Sequence, residues 1–373
     1  MAMDRKWMLR ALGMMVWVLA LSTRSFAQQQ QQADSVRYQK VWGLRGHLGF
    51  IIIHSPALNT IRRSYPWGLE ADWGRQFVSQ KAWDFCNCYP RAGVATTLWD
   101  WGNRPVLGYG VTAVAYVEPI FMTKHRINLG IRMGGGLAWM SRPYDADENP
   151  DNQAYSTRIN FPLIVNATLY GRINPFWSVR LAGNFNHVSN GGLRLPNKGI
   201  NYPTLGLGVD YAPSGINFKE RAKNREHGLP DPRVRFNLGA LATFKNGGLG
   251  STDQYGVWGF FGGMVGYLGR WSGLNAGFEW VWDNARRARM DYWGRPENHS
   301  RAAILAGHQF LLGRVVFSQQ LGLYVYDQWR ENNPVYQRFG LSVMLADHIS
   351  MGVNLKTHLH VAEFLDARLA FEF

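Results

Sequence analysis

The sequence predicts an all-β fold, a transmembrane antiparallel β-barrel of the bacterial outer membrane with about 16 strands in total. Polar and apolar residues alternate, as in RVRFNLGALATFK at 233–245, where the apolar side chains share one face and most of the polar ones share the other. Aromatic residues make up 14% of the chain and glycines number 41, yet the mean hydropathy is only −0.24. After Ala27 no apolar run reaches the roughly 18 residues of a membrane-spanning helix. A lipid-spanning sheet must close on itself, because open edges would leave backbone groups unpaired in hydrocarbon.

The alternating segments define the predicted strands. Their even number is typical of bacterial barrels, and it allows either one large barrel or two eight-stranded units. We predict strands near 44–54, 66–76, 90–100, 107–118, 126–141, 159–171, 174–190, 201–211, 232–246, 254–268, 271–284, 300–312, 314–326, 334–346, 349–360 and 363–373.

The N-terminus has the pattern of a secretory signal peptide, which we expect to be 1–27. Three basic residues precede the apolar run Ala11–Leu21, and Ser25-Phe26-Ala27 supplies small residues at the cleavage site. The glutamine run that follows cannot bury a core, so 28–43 is predicted to be a flexible lead-in. The expected location is the outer membrane.

Loop lengths divide the rest of the chain. If the last strand descends to the periplasm, long external loops fall at 142–158, 191–200, 285–299 and 327–333, and tight turns fall at the other end. The exceptions are 77–89 and the charged stretch 217–231. We therefore predict a first barrel region at 44–211, a charged linker at 212–231 and a second strand region at 232–373 that ends in Phe373, like the C-terminal signal of outer-membrane barrels.

Cysteine content and charge are less informative. Cys86 and Cys88 are the only cysteines, and a bond across so short a loop is strained, so two unremarkable thiols in a turn are favoured over a redox or metal site. The net charge of +14 fits an anionic lipid surface, or equally solvated loop charge.

One predicted strand ends in the stretch NHVSNGG, at 186–192, which contains a histidine and a serine that could act in catalysis. His187 and Ser189 share the face of Trp177, Leu181 and Phe185, which is the lipid side. From Trp177 to His187 the strand climbs about 25 Å at a tilt of about 40°, which places the pair at the outer headgroup level. Strand residues two apart project side by side, so His187 can take the proton of Ser189 and make it a nucleophile for an ester. The alternative interpretation is that His187 and Ser189 are non-catalytic polar residues within an aromatic girdle.

The longer stretch NHVSNGGLRLPNKGIN, 186–201, resembles the lipid A 3-O-deacylase (PagL) family of outer-membrane barrel esterases. The shared pattern is His-x-Ser-Asn-x-Gly followed by Pro-Asn-x-Gly, and its positions here are His187, Ser189, Asn190, Gly192, Pro196, Asn197 and Gly199. The likeness spans roughly 44–211. It implies hydrolysis of an acyl ester of lipid A in the outer leaflet, with backbone N–H groups at Asn190 to Gly192 and the Asn197 side chain as oxyanion donors.

The chain departs from the family at the third catalytic position. The family has a glutamate where this chain has Asn201, which a hairpin closing over 191–200 would set beside His187 and Ser189. An amide oxygen can orient an imidazole, but it stabilises imidazolium less than a carboxylate does. In serine proteases the acid-to-amide change costs about 10⁴ in rate through the wrong tautomer, so a weaker or an inactive triad is expected.

Other candidate sites are poorer. His54 and Ser55 are adjacent and therefore on opposite faces, whereas His358 and His360, like Glu70 and Asp72, are interpreted as polar residues of the lumen. No cofactor or metal is expected. Lipopolysaccharide or lipid A is the expected partner, with no nucleic acid, and a homodimer is left open. A passive porin or structural barrel is the alternative function.

Overall fold

The computed structural model describes residues 38–222, 232–248, 253–269, 271–312, 314–331, 333–358 and 361–373. The predicted signal peptide therefore lies outside the described residues. The described residues form two closed barrels of eight antiparallel strands each, which settles the choice between one ring and two. Among them, no helix is long and apolar enough to cross a membrane.

The first barrel runs from β1 to β8 and closes by pairing β1 with β8. Strands such as β6 and β7 alternate between buried and exposed residues, because the lumen and the outer face take successive side chains. The bounds are β1 Tyr38–Gly49, β2 Trp67–Phe77, β3 Tyr89–Asp100, β4 Tyr109–Phe121, β5 Ile127–Met140, β6 Ile159–Arg172, β7 Trp177–Ser189 and β8 Ile200–Tyr211.

The second barrel closes by pairing β9 with β16. Its bounds are β9 Val234–Asn246, β10 Gln254–Tyr267, β11 Ser272–Asp283, β12 Ser300–Leu312, β13 Val315–Tyr326, β14 Val335–Ala346, β15 Ile349–His358 and β16 Val361–Glu372.

Predicted and observed strands agree except at the start. The lead-in was placed at 28–43, but β1 already begins at Tyr38, so the prediction is wrong for 38–43. Helices that alternation did not reveal occupy three connections. A 3-10 helix spans Pro56–Ile61, α1 spans Gln80–Cys86 and α2 spans Asn284–Tyr292.

Charged side chains fill the lumen of the first barrel. Arg45 lies 2.8 Å from Glu70, which is 5% exposed, and Arg180 pairs with Asp72. Glu70 and Asp72 are therefore lumen charges, as predicted. Pairing within the barrel compensates the desolvation that isolated charges would suffer there.

The second barrel repeats this arrangement. Arg338 lies 2.5 Å from Asp366 and 2.8 Å from Glu279, and Lys245 lies 2.6 Å from Asp283. A cavity of about 360 Å³ remains near the ends of its strands and is lined by residues such as Asn237, Gln309 and Arg368.

The outer faces of both barrels are apolar. Leu44, Leu207, Leu238 and Phe278 belong to a long series of large exposed hydrophobic side chains on the strands. Such a continuous surface is the one that a bilayer covers.

The end of the first barrel at which β2 connects to β3 carries the two cysteines. They form a disulfide, Cys86–Cys88, so the expectation of two free thiols was wrong. The start of the predicted linker packs here. Phe218 stacks on Tyr89 with ring centroids 5.1 Å apart, and Trp83 of α1 donates a 2.8 Å hydrogen bond to the carbonyl of Ala222.

Candidate active site

The hairpin of β7 and β8 places His187 and Asn201 directly opposite each other in the ladder. His187 belongs to the outward face of β7, together with Leu181 and Phe185, and Ser189 follows at the strand's outer end. Cross-strand partners and residues two apart on one strand are the nearest side-chain neighbours in a sheet. The register therefore brings three polar side chains together at the end of β7.

These side chains form a continuous hydrogen-bonded chain. His187 Nδ1 lies 2.7 Å from Asn201 Oδ1, and His187 Nε2 lies 3.0 Å from Ser189 Oγ. Because an amide oxygen only accepts, the proton sits on Nδ1, and Nε2 is left to accept the hydroxyl proton of Ser189. Ser189 is 3% exposed, so the hydroxyl is shielded from bulk water.

A hydrophobic core backs the hairpin from inside. Val188 and Ile200 are fully buried and pack in one cluster with Trp101 and Tyr155. The Trp101 ring meets Tyr202 edge-on at 5.0 Å between centroids. Since Val188 lies between His187 and Ser189, and Ile200 immediately precedes Asn201, this core fixes the backbone of all three.

Asparagine side chains hold the loop after β7. Asn190 N–H donates to Asn197 Oδ1 at 2.9 Å, Gly192 N–H donates to Asn190 Oδ1 at 3.0 Å, and Asn190 Nδ2 donates to the Arg194 carbonyl at 2.7 Å. The predicted oxyanion donors are therefore only partly available. The N–H groups of Asn190 and Gly192 are engaged inside the loop, because side-chain oxygens satisfy them locally.

Asn197 Nδ2 differs from those two N–H groups. It is buried and has no hydrogen-bond partner among the described residues. Its Oδ1 accepts a hydrogen bond from the backbone N–H of Asn190, the residue that follows Ser189. An oriented amide donor without a partner is the kind of group that a developing oxyanion requires.

The backbone at Gly199 passes close to the imidazole ring of His187. Its φ is +71°, and a Cβ there would lie 2.8 Å from His187 Cε1 and 3.3 Å from Ser189 Cβ. Its N–H donates to the carbonyl of Ala154 at 2.8 Å, which ties this segment to the loop between β5 and β6. Only glycine fits both the backbone conformation and the space.

His54 lies beside the candidate triad, a contact that the sequence did not indicate. Its Nε2 lies 2.9 Å from the Lys198 carbonyl, and its Nδ1 lies 3.3 Å from Asn201 Nδ2. The two are 147 residues apart, and only the closure of β1 onto β8 could have indicated the contact. His54 contacts the amide of the candidate triad.

The second barrel contacts the same loop. Leu365 N–H donates to the Gly191 carbonyl at 3.0 Å, and Asn246 N–H donates to the Gly192 carbonyl at 3.4 Å. The Gln254 side chain donates to the carbonyl of Leu193. Strands β9 and β16 thus hold the backbone that follows Ser189.

The remaining candidates do not assemble a comparable site. His358 bonds Glu363 at 3.1 Å, and His360 lies outside the described residues. Among the described residues no group of three or more His, Cys, Asp or Glu side chains could hold a metal.

A second Ser–His pair occurs on the second barrel. Ser272 Oγ lies 2.8 Å from His308 Nε2, but His308 Nδ1 has no hydrogen-bond partner within the described part of the chain. This pair therefore lacks an orienting third residue.

Comparison with protein-family models gives two matches. The model described as lipid A 3-O-deacylase (PagL) matches residues 58–210, and the model described as acyloxyacyl hydrolase, C-terminal domain, matches residues 234–373. No curated protein matches.

Several solved structures are similar. The outer membrane enzyme PagL has 16% identity over 44% of this chain and 97% of that one, with a TM-score of 0.33. Neisserial surface protein A (NspA) has 12% identity over 46% of this chain and 96% of that one, with a TM-score of 0.29. A mutant Rh. blastica porin has 9% identity over 90% of this chain and 100% of that one, with a TM-score of 0.22. The two family matches together span most of the sequence, and the chain therefore belongs to the lipid A 3-O-deacylase (PagL) and acyloxyacyl hydrolase family of outer-membrane enzymes.

Proposed function

We propose that this protein is an outer-membrane serine esterase that removes an acyl chain from lipid A by 3-O-deacylation of lipopolysaccharide in the outer leaflet. The observation that carries the proposal is the bonded chain from Ser189 through His187 to Asn201 on the lipid-facing side of β7. The family models add the substrate class.

The chemistry follows from the proton positions. Ser189 Oγ attacks the ester carbonyl while His187 Nε2 takes the hydroxyl proton, and Asn201 Oδ1 holds the imidazolium through its Nδ1–H. The tetrahedral intermediate collapses as His187 returns the proton to the sugar oxygen, which leaves the acyl group on Ser189. A water molecule that gives its proton to His187 then releases the fatty acid and restores Ser189.

The oxyanion needs a donor that is not already bonded. Asn197 Nδ2 meets this requirement, since its partner atom Oδ1 is fixed by Asn190 N–H. Removing one such donor from a hydrolase typically costs about 10²–10³ in kcat.

The surroundings of the pair suit a lipid substrate. Leu163 lies opposite His187 on β6 and is 37% exposed, and Phe185 precedes His187 on the same outward face. An ester at the boundary between headgroup and acyl chains would place its carbonyl near Ser189 and its chain along these side chains.

Mass spectrometry of lipid A from cells that make each variant tests the proposal. We expect the wild type to remove one acyl chain and Ser189→Ala to abolish the loss. Ser272→Ala is the matched control, because that serine also bonds a histidine but lacks a third residue. A passive barrel would give the same lipid A from wild type and Ser189→Ala, and this result would overturn the proposal.

A further inference from the structure

His54 contacts the one triad member in which this chain departs from its family. The His54 Nε2 atom lies 2.9 Å from the Lys198 carbonyl oxygen. A carbonyl oxygen only accepts hydrogen bonds, so Nε2 carries the proton and donates. In the neutral ring, Nδ1 is then an acceptor.

Asn201 Nδ2 and the Ile52 carbonyl both lie near that Nδ1, and its protonation state selects between them. Asn201 Nδ2 lies at 3.3 Å and can donate to an unprotonated Nδ1, whereas the carbonyl of Ile52 lies at 3.2 Å and can only accept. The Nε2–H form of the neutral ring therefore pairs with Asn201.

This contact decides which way the Asn201 amide points. With Nδ2 toward His54, Oδ1 faces His187 Nδ1 at 2.7 Å. A flipped amide would aim its NH₂ at His187 Nδ1 and would move the proton of that ring to Nε2. Ser189 would then face a donor instead of a base.

We propose that His54 is a positioning residue for the triad, which orients the Asn201 amide and through it the tautomer of His187. A glutamate at 201 would not need this help, because its two oxygens both accept. The inference rests on the proposed function for its activity test, but the tautomer can be measured without turnover.

The first experiment measures turnover of lipid A by the full chain in detergent, in the wild-type and the Asn201→Glu backgrounds. His54→Ala should lower kcat about 5- to 10-fold in the wild type, the effect of losing one neutral hydrogen bond, and by less than about 2-fold beside Asn201→Glu. His54→Asn keeps an acceptor near the position of Nδ1 and should retain most of the activity. His125→Ala, in the turn between β4 and β5, is the matched histidine control.

The second experiment reads the tautomer directly. Ring ¹⁵N chemical shifts of His187, assigned by comparison with His187→Gln, should show Nδ1–H in the wild type and a shift toward Nε2–H in His54→Ala. Equal losses of kcat in both backgrounds, or an unchanged His187 tautomer, would mean that His54 only holds the Lys198 loop and would overturn the inference. Inactivity of the wild type would count against the proposed function alone, since the tautomer shift still decides the role of His54.

Discussion

Asn201 Oδ1 accepts a 2.7 Å hydrogen bond from Nδ1 of His187, directly across the β7–β8 ladder. The same bond made by a carboxylate would be charge-assisted when the imidazole is protonated and therefore roughly twice as strong. An amide in the correct orientation preserves the tautomer of the base and gives up only this electrostatic contribution. We therefore expect a slower triad rather than an inactive one.

Asn201→Glu should therefore raise activity. A charge-assisted bond exceeds a neutral one by about 1–1.5 kcal/mol, which corresponds to roughly 10-fold in kcat. Initial rates of fatty acid release from lipid A micelles measure the effect. Asn186→Asp, on the lumen face of the neighbouring strand β7, is the control for an added negative charge. A rate unchanged or lowered by Asn201→Glu would argue against Asn201 as the third member of the triad.

Gly199→Ala should lower activity about 100-fold while the barrel still folds. The new Cβ would lie 2.8 Å from His187 Cε1 at a φ of +71°, so either the imidazole or the loop must move away from Ser189. A displacement of this size costs about 100-fold in rate when it disturbs reacting groups. Gly183→Ala lies on the same outward face of β7, where a Cβ meets nothing within 4 Å, and should behave like the wild type. Similar rates for the two variants would show that His187 needs no fixed position.

The strands were predictable because each one is marked by a pattern within its own short stretch of sequence. Alternation with period two marks a strand wherever one face is wet and the other apolar, and this located β7 and β8 within three residues of their observed ends. The choice between one ring and two was not predictable in this way. It depends on whether β8 pairs with β1 or with β9, which is a contact between distant segments.

The candidate site was predictable to the same extent. His187 and Ser189 share a face because of the alternation, whereas Asn201 was indicated by the family resemblance and placed beside them by one hairpin register. The bonds that occupy the N–H groups of Asn190 and Gly192 depend on loop conformation, and the approach of His54 depends on barrel closure. Neither leaves a periodic pattern along the chain.

Glu118→Ala should destabilise the first barrel without changing the chemistry of the site. Glu118 accepts bonds from Arg132 at 2.9 Å and from Tyr170 at 2.5 Å, and all three side chains are buried. Its loss leaves a buried guanidinium without this partner, a change that typically costs 3–5 kcal/mol. Denaturant unfolding in detergent measures the effect. Lys124→Ala breaks an exposed pair with Glu220 and should leave the midpoint unchanged, and equal midpoints for both variants would refute the prediction.

Gly192→Ala tests whether the second barrel supports the active-site loop. Gly192 has a φ of +83°, and a Cβ there would lie 2.7 Å from the carbonyl oxygen of Glu363 on β16. The substitution should push the loop from β16 and loosen the Asn190–Asn197 contact beside Ser189, so we expect the deacylation rate to fall by about 10-fold or more. Gly294→Ala has a similar φ of +61° but open space around the added atom, so it isolates backbone strain from the contact with the second barrel. If Gly192→Ala and Gly294→Ala keep the same rate, the hydrogen bonds from Leu365 and Asn246 do not matter for catalysis. If only Gly192→Ala loses activity, the second barrel acts as the support on which the loop after Ser189 is held in place.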